Sequence, residues 1–124
     1  MIAVVACGAS NDRPFSVASA KHPFAVRGYV FMRSYAGLSP AGLVEADAIV
    51  RPHQAFSVVQ NTILVFRTSA FARRSCAPSP SYFCGGPQYR IRNVVLSIDH
   101  RSPLRVRMRL MAAFRTLGAP VRIA

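Results

Sequence analysis

Arginine is the residue with which this sequence could do the most chemistry. Arg27 and Arg33 flank two rings, Tyr29 and Phe31. Arg73 and Arg74 precede, and Arg90 and Arg92 follow, a loop bounded by Cys76 and Cys84, while Arg105, Arg107, Arg109 and Arg115 crowd a segment near the end. A guanidinium is planar and permanently charged, presents a fork of donors that matches phosphate, and stacks on bases. Rings interleaved with such cations let unpaired bases stack while the cations hold the backbone. These twelve side chains form the candidate RNA-binding set.

Other chemistries find less material. Asp99-His100, beside Ser97 and Ser102, is the one cluster with the residue types of a nucleophile, a base and an orienting acid. Neighbours in sequence point different ways, however, and Asp99-His100-Arg101-Ser102-Pro103 makes a better turn and helix cap than a triad. Asp12, Glu45, Asp47 and Asp99 are the only side-chain carboxylates, so paired acid–base catalysis is poorly supplied, and no glycine-rich loop could cradle a phosphate. The sequence reads as non-enzymatic. Cys76 and Cys84 could be bridged or could join His53 or His100 around zinc, but structural zinc uses closely spaced pairs and the third thiol, Cys7, is odd. Free thiols are expected, with no metal and no cofactor.

The charge balance carries the functional expectation. Sixteen basic residues face four acidic ones, a net charge of +12, and Lys21 is the single lysine. One compact body of 124 residues cannot pair those cations internally. Self-repulsion of that size opposes compaction and is relieved by a polyanion. A GC-rich reading frame would also accumulate arginine, alanine and proline at the expense of lysine, so the ratio of arginine to lysine has two readings while the net charge is real under both. At 52% hydrophobic and 16% charged residues, the composition is that of a chain with a core.

The segment Arg27-Gly28-Tyr29-Val30-Phe31-Met32 resembles the RNP1 strand of RNA-recognition-motif domains, which reads basic-Gly-aromatic-small-aromatic-aliphatic, and Ala46-Asp47-Ala48-Ile49 resembles the helix that succeeds it. The resemblance covers about a fifth of the chain and departs at Val30, where a small residue belongs, and at Ser34, where an aromatic does. It implies that Tyr29 and Phe31 stack on bases.

The elements that would position these residues form an α+β fold in a single domain, 1–124. Residues 1–23 carry Gly8, Asn11, Pro14 and Pro23 and read as irregular beyond a short β-like run to Cys7. Phe24 to Tyr35 alternates as a strand, with Phe24, Val26, Val30 and Met32 on one face and Arg27, Tyr29, Phe31, Arg33 and Tyr35 on the other. Ser39-Pro40 reads as the start of a short helix over 39–50, closed by Pro52. Residues 56–68 favour a strand, or two strands turning near Gln60-Asn61, although Phe56, Val59, Ile63 and Phe66 also fit a helical stripe. Residues 75–88 are a Pro/Ser/Gly loop, and Tyr89 to Ile98 a strand. Ser102-Pro103 and Gly118-Ala119-Pro120 bracket a C-terminal helix over 103–117, in competition with the two-residue alternation of Leu104 to Leu110.

No apolar run is long enough to span a bilayer. The start lacks the basic leader of an export signal, and Arg33-Ser34-Tyr35-Ala36 resembles a mitochondrial cleavage pattern that Pro14 and Pro23 speak against. An uncleaved intracellular protein, cytoplasmic or mitochondrial, is expected. The function expected is that of a structural RNA-binding component of a large ribonucleoprotein, specifically a ribosomal or organellar-ribosomal subunit, with arginines on RNA phosphates and apolar surface on neighbouring proteins. A small accessory subunit of a protein or membrane assembly without nucleic acid is the second reading. A weakly selected GC-rich frame without defined function is the third.

Overall fold

A computed structural model describes residues 13–34, 40–52, 60–75 and 86–123. The expected loop cysteines Cys76 and Cys84, with Cys7, His53, Tyr35 and Ser39, lie outside the described residues. The fold is α+β: strands β1 (Val30–Arg33), β2 (Leu43–Val50), β3 (Thr62–Phe66), β4 (Gln88–Ile91), β5 (Val94–Ser97) and β6 (Val121–Arg122) form one antiparallel sheet in the order β1-β2-β3-β5-β4-β6. Helices α1 (Val17–Ala25) and α3 (Leu104–Phe114, tightening to a 3-10 turn over Arg115–Leu117) pack on one face, and the short α2 (Ser69–Arg73) on the other.

The main core is made where α1 and α3 meet the sheet. Ala20 and Phe24 of α1, and Leu110, Ala113 and Phe114 of α3, close over Ile49, Ile63, Val65, Ile91, Val94 and Leu96. The opposite face buries a smaller set, Ala46, Leu64, Phe66 and Val95, under Ala72 of α2. Because β3 and β5 are covered on both sides, each of their residues is buried, which is why their sequences run apolar without strict alternation.

Several expectations are corrected. The segment to 23 is not irregular throughout: Ser16 caps α1 by accepting from the Ser19 backbone N–H, and Pro23 is carried inside the helix. Its missing N–H falls in the last turn, where burial of Ala20 and Phe24 offsets one lost hydrogen bond. The strand expected from Phe24 starts only at Val30. Gly28 at φ +87 ends α1, with Tyr29 N–H donating to Phe24 O and Gly28 N–H to Ala25 O, the paired bonds of a glycine-terminated helix.

The helix expected over 39–50 is the strand β2, and Ala46–Ile49, the helix implied by the RNA-recognition-motif resemblance, lies within it. Leu, Ala and Glu tolerate a helix, but β2 sits between β1 and β3 and pairs with both. Tertiary pairing outweighs a weak local preference. Tyr89–Ile98 is two strands rather than one, turning at Arg92-Asn93. For 56–68 the strand reading holds at Thr62–Phe66, and α3 realises the C-terminal helix. No helix of the described residues is long and apolar enough to cross a membrane.

Candidate nucleic-acid interface

Three of the four side-chain acids are taken up inside the molecule. On the helix-covered face of β2, Glu45 and Asp47 point together towards α1. Lys21 reaches them at 2.7 and 3.1 Å, and Arg33 at 2.9 and 3.7 Å. The neighbouring Asp47 carboxyl and the hydrogen bond from Lys21 hold Glu45 below the usual carboxylate range, whereas burial and the neighbouring Glu45 push Asp47 up. Burial pulls the Lys21 ammonium down, but the two carboxylates more than compensate and raise it. Asp99 is held by Arg101 at 2.8 Å and accepts from the Arg101 and Gln60 backbone N–H groups, which keeps its carboxyl far below the ordinary range.

The remaining guanidinium groups collect elsewhere. At the end of the strands where β2 stops and β3 starts, a cleft of about 700 Å³ opens between the sheet and α3. Arg51, Arg105 and Arg109 line it together with Arg101, the partner of Asp99, and among the described residues no carboxylate does. Tyr29 and Ile49 supply its apolar wall, with the Arg51 guanidinium 5.1 Å from the centroid of the Tyr29 ring. Tyr29 is only 8% exposed. Its ring is therefore a seat for Arg51 rather than an open platform, and the flat face available for stacking is the outer side of the guanidinium.

The helix decides which arginines meet. Arg105 and Arg109 are one turn apart and face the cleft together, while Arg107 turns away, donating to Ser102 O and His100 O, and lines a different groove with Arg115. Like charges at this spacing destabilise a helix by about 0.2–0.5 kcal/mol. Arg105 stands in the first turn, which has no acidic residue and no side-chain cap, so it also opposes the positive end of the helix dipole. Both costs vanish when an anion enters.

The floor is rigid. Asn61, 6% exposed, accepts from Asp99 N–H and Ser102 Oγ, both at 2.9 Å, and so ties the 99–102 turn to the start of β3. That turn is closed by Ser102 N–H on Asp99 O. The expected turn is thus present, but Ser102 does not cap α3: its hydroxyl serves Asn61 instead. His100 is exposed, 3.7 Å from Asp99, and Ser102 offers it no proton. These residues build a loop.

Of the other sequence candidates, Arg33 is spent in the acidic corner and Phe31 is half-buried beneath the Lys21 ammonium at 4.8 Å. The strand alternation over Val30–Arg33 is real, but the face that carries Phe31 and Arg33 is the one turned towards α1, where Phe31 is half-buried, and Val30, Met32 and Arg33 are exposed. Arg27 is exposed and donates to Pro23 O. Arg73, Arg90 and Arg92 converge on a separate hollow, as their clustering around the cysteine loop suggested, whereas Arg74 is exposed outside it. Arg51 was not among the candidates because it stands alone in the chain, and Arg101 because it was read as part of the 99–103 turn. Among the described residues no group of acidic, histidine and cysteine side chains could hold a metal ion. No protein-family model, curated protein or solved structure matches the chain.

Proposed function

We propose that the protein is a structural RNA-binding component of a ribonucleoprotein assembly, without catalytic activity of its own. The observation that carries this reading is the convergence of Arg51, Arg105 and Arg109, with Arg101 at the edge holding Asp99, on one cleft whose described lining residues include no carboxylate, while Glu45 and Asp47 are bound elsewhere. Phosphates are the ligand that four forks in a half-apolar cleft recognise best. An assembly role follows from a second surface on the same helix. Leu104 and Met108, one turn apart, are 71% and 64% exposed and border a groove of about 440 Å³, the kind of apolar stripe that a neighbouring protein covers.

Single-stranded RNA binding should weaken steeply with salt. Replacing Arg51, Arg105 and Arg109 together by Gln should reduce the slope of log affinity against log salt by about 2, at roughly 0.7 per lost phosphate contact. A wild-type affinity that does not respond to salt would refute the reading. For the protein-facing stripe, association that survives ribonuclease and high salt should be lost in Leu104→Asp/Met108→Asp.

A further inference from the structure

A second basic hollow lies at the far corner of the sheet. Its volume is about 400 Å³, and Arg73 from the end of α2, with Arg90 and Arg92 from the β4–β5 hairpin, converges on a floor of Ile91, Leu117 and Val121. Among the described residues no carboxylate lines it. The two hollows are diagonal to one another. The first opens beside Asn61, where β3 begins, and the second beside the hairpin that follows Ile91, next to Val65 and Phe66 where β3 ends. Four strand positions along β3 and three strand-to-strand steps from β2 to β4 separate them, on the order of 20 Å. Two successive phosphates of one strand do not reach that far.

The hairpin itself shows how firmly the second set is held. Arg92 has φ +52, the only non-glycine residue with positive φ among those described. Glycine adopts that conformation freely, and an arginine does so against steric strain. Asn93, fully buried, fixes the turn: its Oδ1 accepts from Phe15 N–H at 2.7 Å, and its Nδ2 donates to Phe15 O and Phe66 O at 3.0 and 2.8 Å. The turn is thus anchored by residue 93, and residue 92 is strained without any need of its backbone for an arginine. What arginine adds is its side chain. The guanidinium lies 4.5 Å from the centroid of the Phe15 ring and donates to Arg13 O, and Arg90 Nη1 donates to Arg92 O at 3.0 Å. Two of the three like-charged side chains, Arg90 and Arg92, are thereby preorganised at a strained turn, the pattern of a binding site rather than of a structural hairpin.

We infer that this hollow is a second RNA-backbone site and that the protein joins two RNA segments, one at each corner of the sheet. The inference rests on the RNA-binding reading above and adds to it valence and geometry. Two unstructured, non-complementary RNA oligonucleotides, one with a donor and one with an acceptor fluorophore, are mixed with the full chain at low salt. Wild-type protein should bind two RNAs per monomer. At fixed RNA it should give energy transfer that peaks near two RNAs per protein and fades in protein excess, as each RNA finds a monomer of its own.

Arg92→Gly should unfold at the same or a higher temperature, since glycine relieves the turn. It should weaken the second binding event about tenfold, the loss of one charge-assisted contact, and abolish the transfer peak. Arg73→Ala, which leaves the hairpin untouched, should do the same to binding. One RNA per monomer in the wild type, transfer that tracks protein self-association in sedimentation, or a transfer peak unchanged in both variants would overturn the inference while leaving single-site RNA binding intact. Absence of any RNA binding by the wild type would overturn the parent reading as well.

Discussion

The acidic corner and the arginine-lined cleft use the same kind of cation to opposite ends. In the corner, Lys21 and Arg33 meet Glu45 and Asp47, two positive charges against two negative, within 3.7 Å. In the cleft, four arginines have among them only Asp99, engaged by Arg101 at the edge. The corner ties α1 to β1 and β2, and its charges are worth something only because the chain folds. The cleft charges burden the fold, and their worth depends on a partner. The comparison separates arginines that hold the molecule together from arginines that face outward, a distinction that net charge alone does not make.

The largest expected effect breaks the corner. Lys21→Met removes the shared cation and leaves two carboxylates, 14% and 5% exposed, with only the more exposed Arg33 for compensation. Stripping one partner from a fully buried pair costs about 3–5 kcal/mol. Lys21 keeps 21% exposure, so about 2 kcal/mol is expected in a denaturant titration, with the salt slope of RNA binding unchanged. A loss of RNA affinity without loss of stability would dissolve the distinction.

A smaller effect sits at the junction of the two regions. Asp99 is depressed by its hydrogen bond with Arg101, then by the backbone N–H groups of Arg101 and Gln60, against the opposing effect of burial. A carboxyl depressed in the folded state contributes stability above its unfolded pKa, near 4, and loses that contribution as the pH falls towards the folded value. Asp99→Asn should therefore cost about 1–2 kcal/mol at neutral pH, the low end for bonds to a charged group because Arg101 is half-exposed. The difference between variant and wild type should shrink as the pH drops below about 4. A difference constant from pH 7 to pH 3 would show that the ionised carboxylate is not what matters.

Legibility in the sequence followed the same division. The punctuation around α3, Ser102-Pro103 before and Gly118 after, located that helix although Leu104 to Leu110 also alternates. The helix in turn settles which arginines act together, pairing 105 with 109 and turning 107 away. The β2 strand was not legible as such, because Ser39-Pro40 and Pro52 punctuate the segment like a helix and Leu43, Glu45, Ala46 and Ala48 suit one, although Val44, Ile49 and Val50 favour a strand. The signal in it was Glu45 and Asp47 at a spacing of two, both sought by cations on α1 and β1. The β4–β5 turn was hidden because Arg92-Asn93 lacks the glycine that such a turn prefers. The cleft was half legible. Arg105 and Arg109 stood in a visible cluster, but Arg51 and Arg101 enter it from separate turns, a convergence that only tertiary structure produces.

The smallest effect on stability is the sharpest on meaning. Arg105→Glu exchanges a like-charged pair with Arg109 for an attractive one, a gain of about 0.4–1 kcal/mol when the two contributions of roughly 0.2–0.5 are added. An acid in the first turn of α3 adds about 0.3–1 kcal/mol by complementing the helix dipole. The variant should thus be about 1 kcal/mol more stable than the wild type, visible as a higher denaturant midpoint, and its RNA affinity should fall with a shallower salt slope. Stability and binding moving in opposite directions at one exposed residue is the signature of a charge placed for a partner. If both fall together, Arg105 serves the fold, and the cleft is merely the place where surplus cations meet solvent.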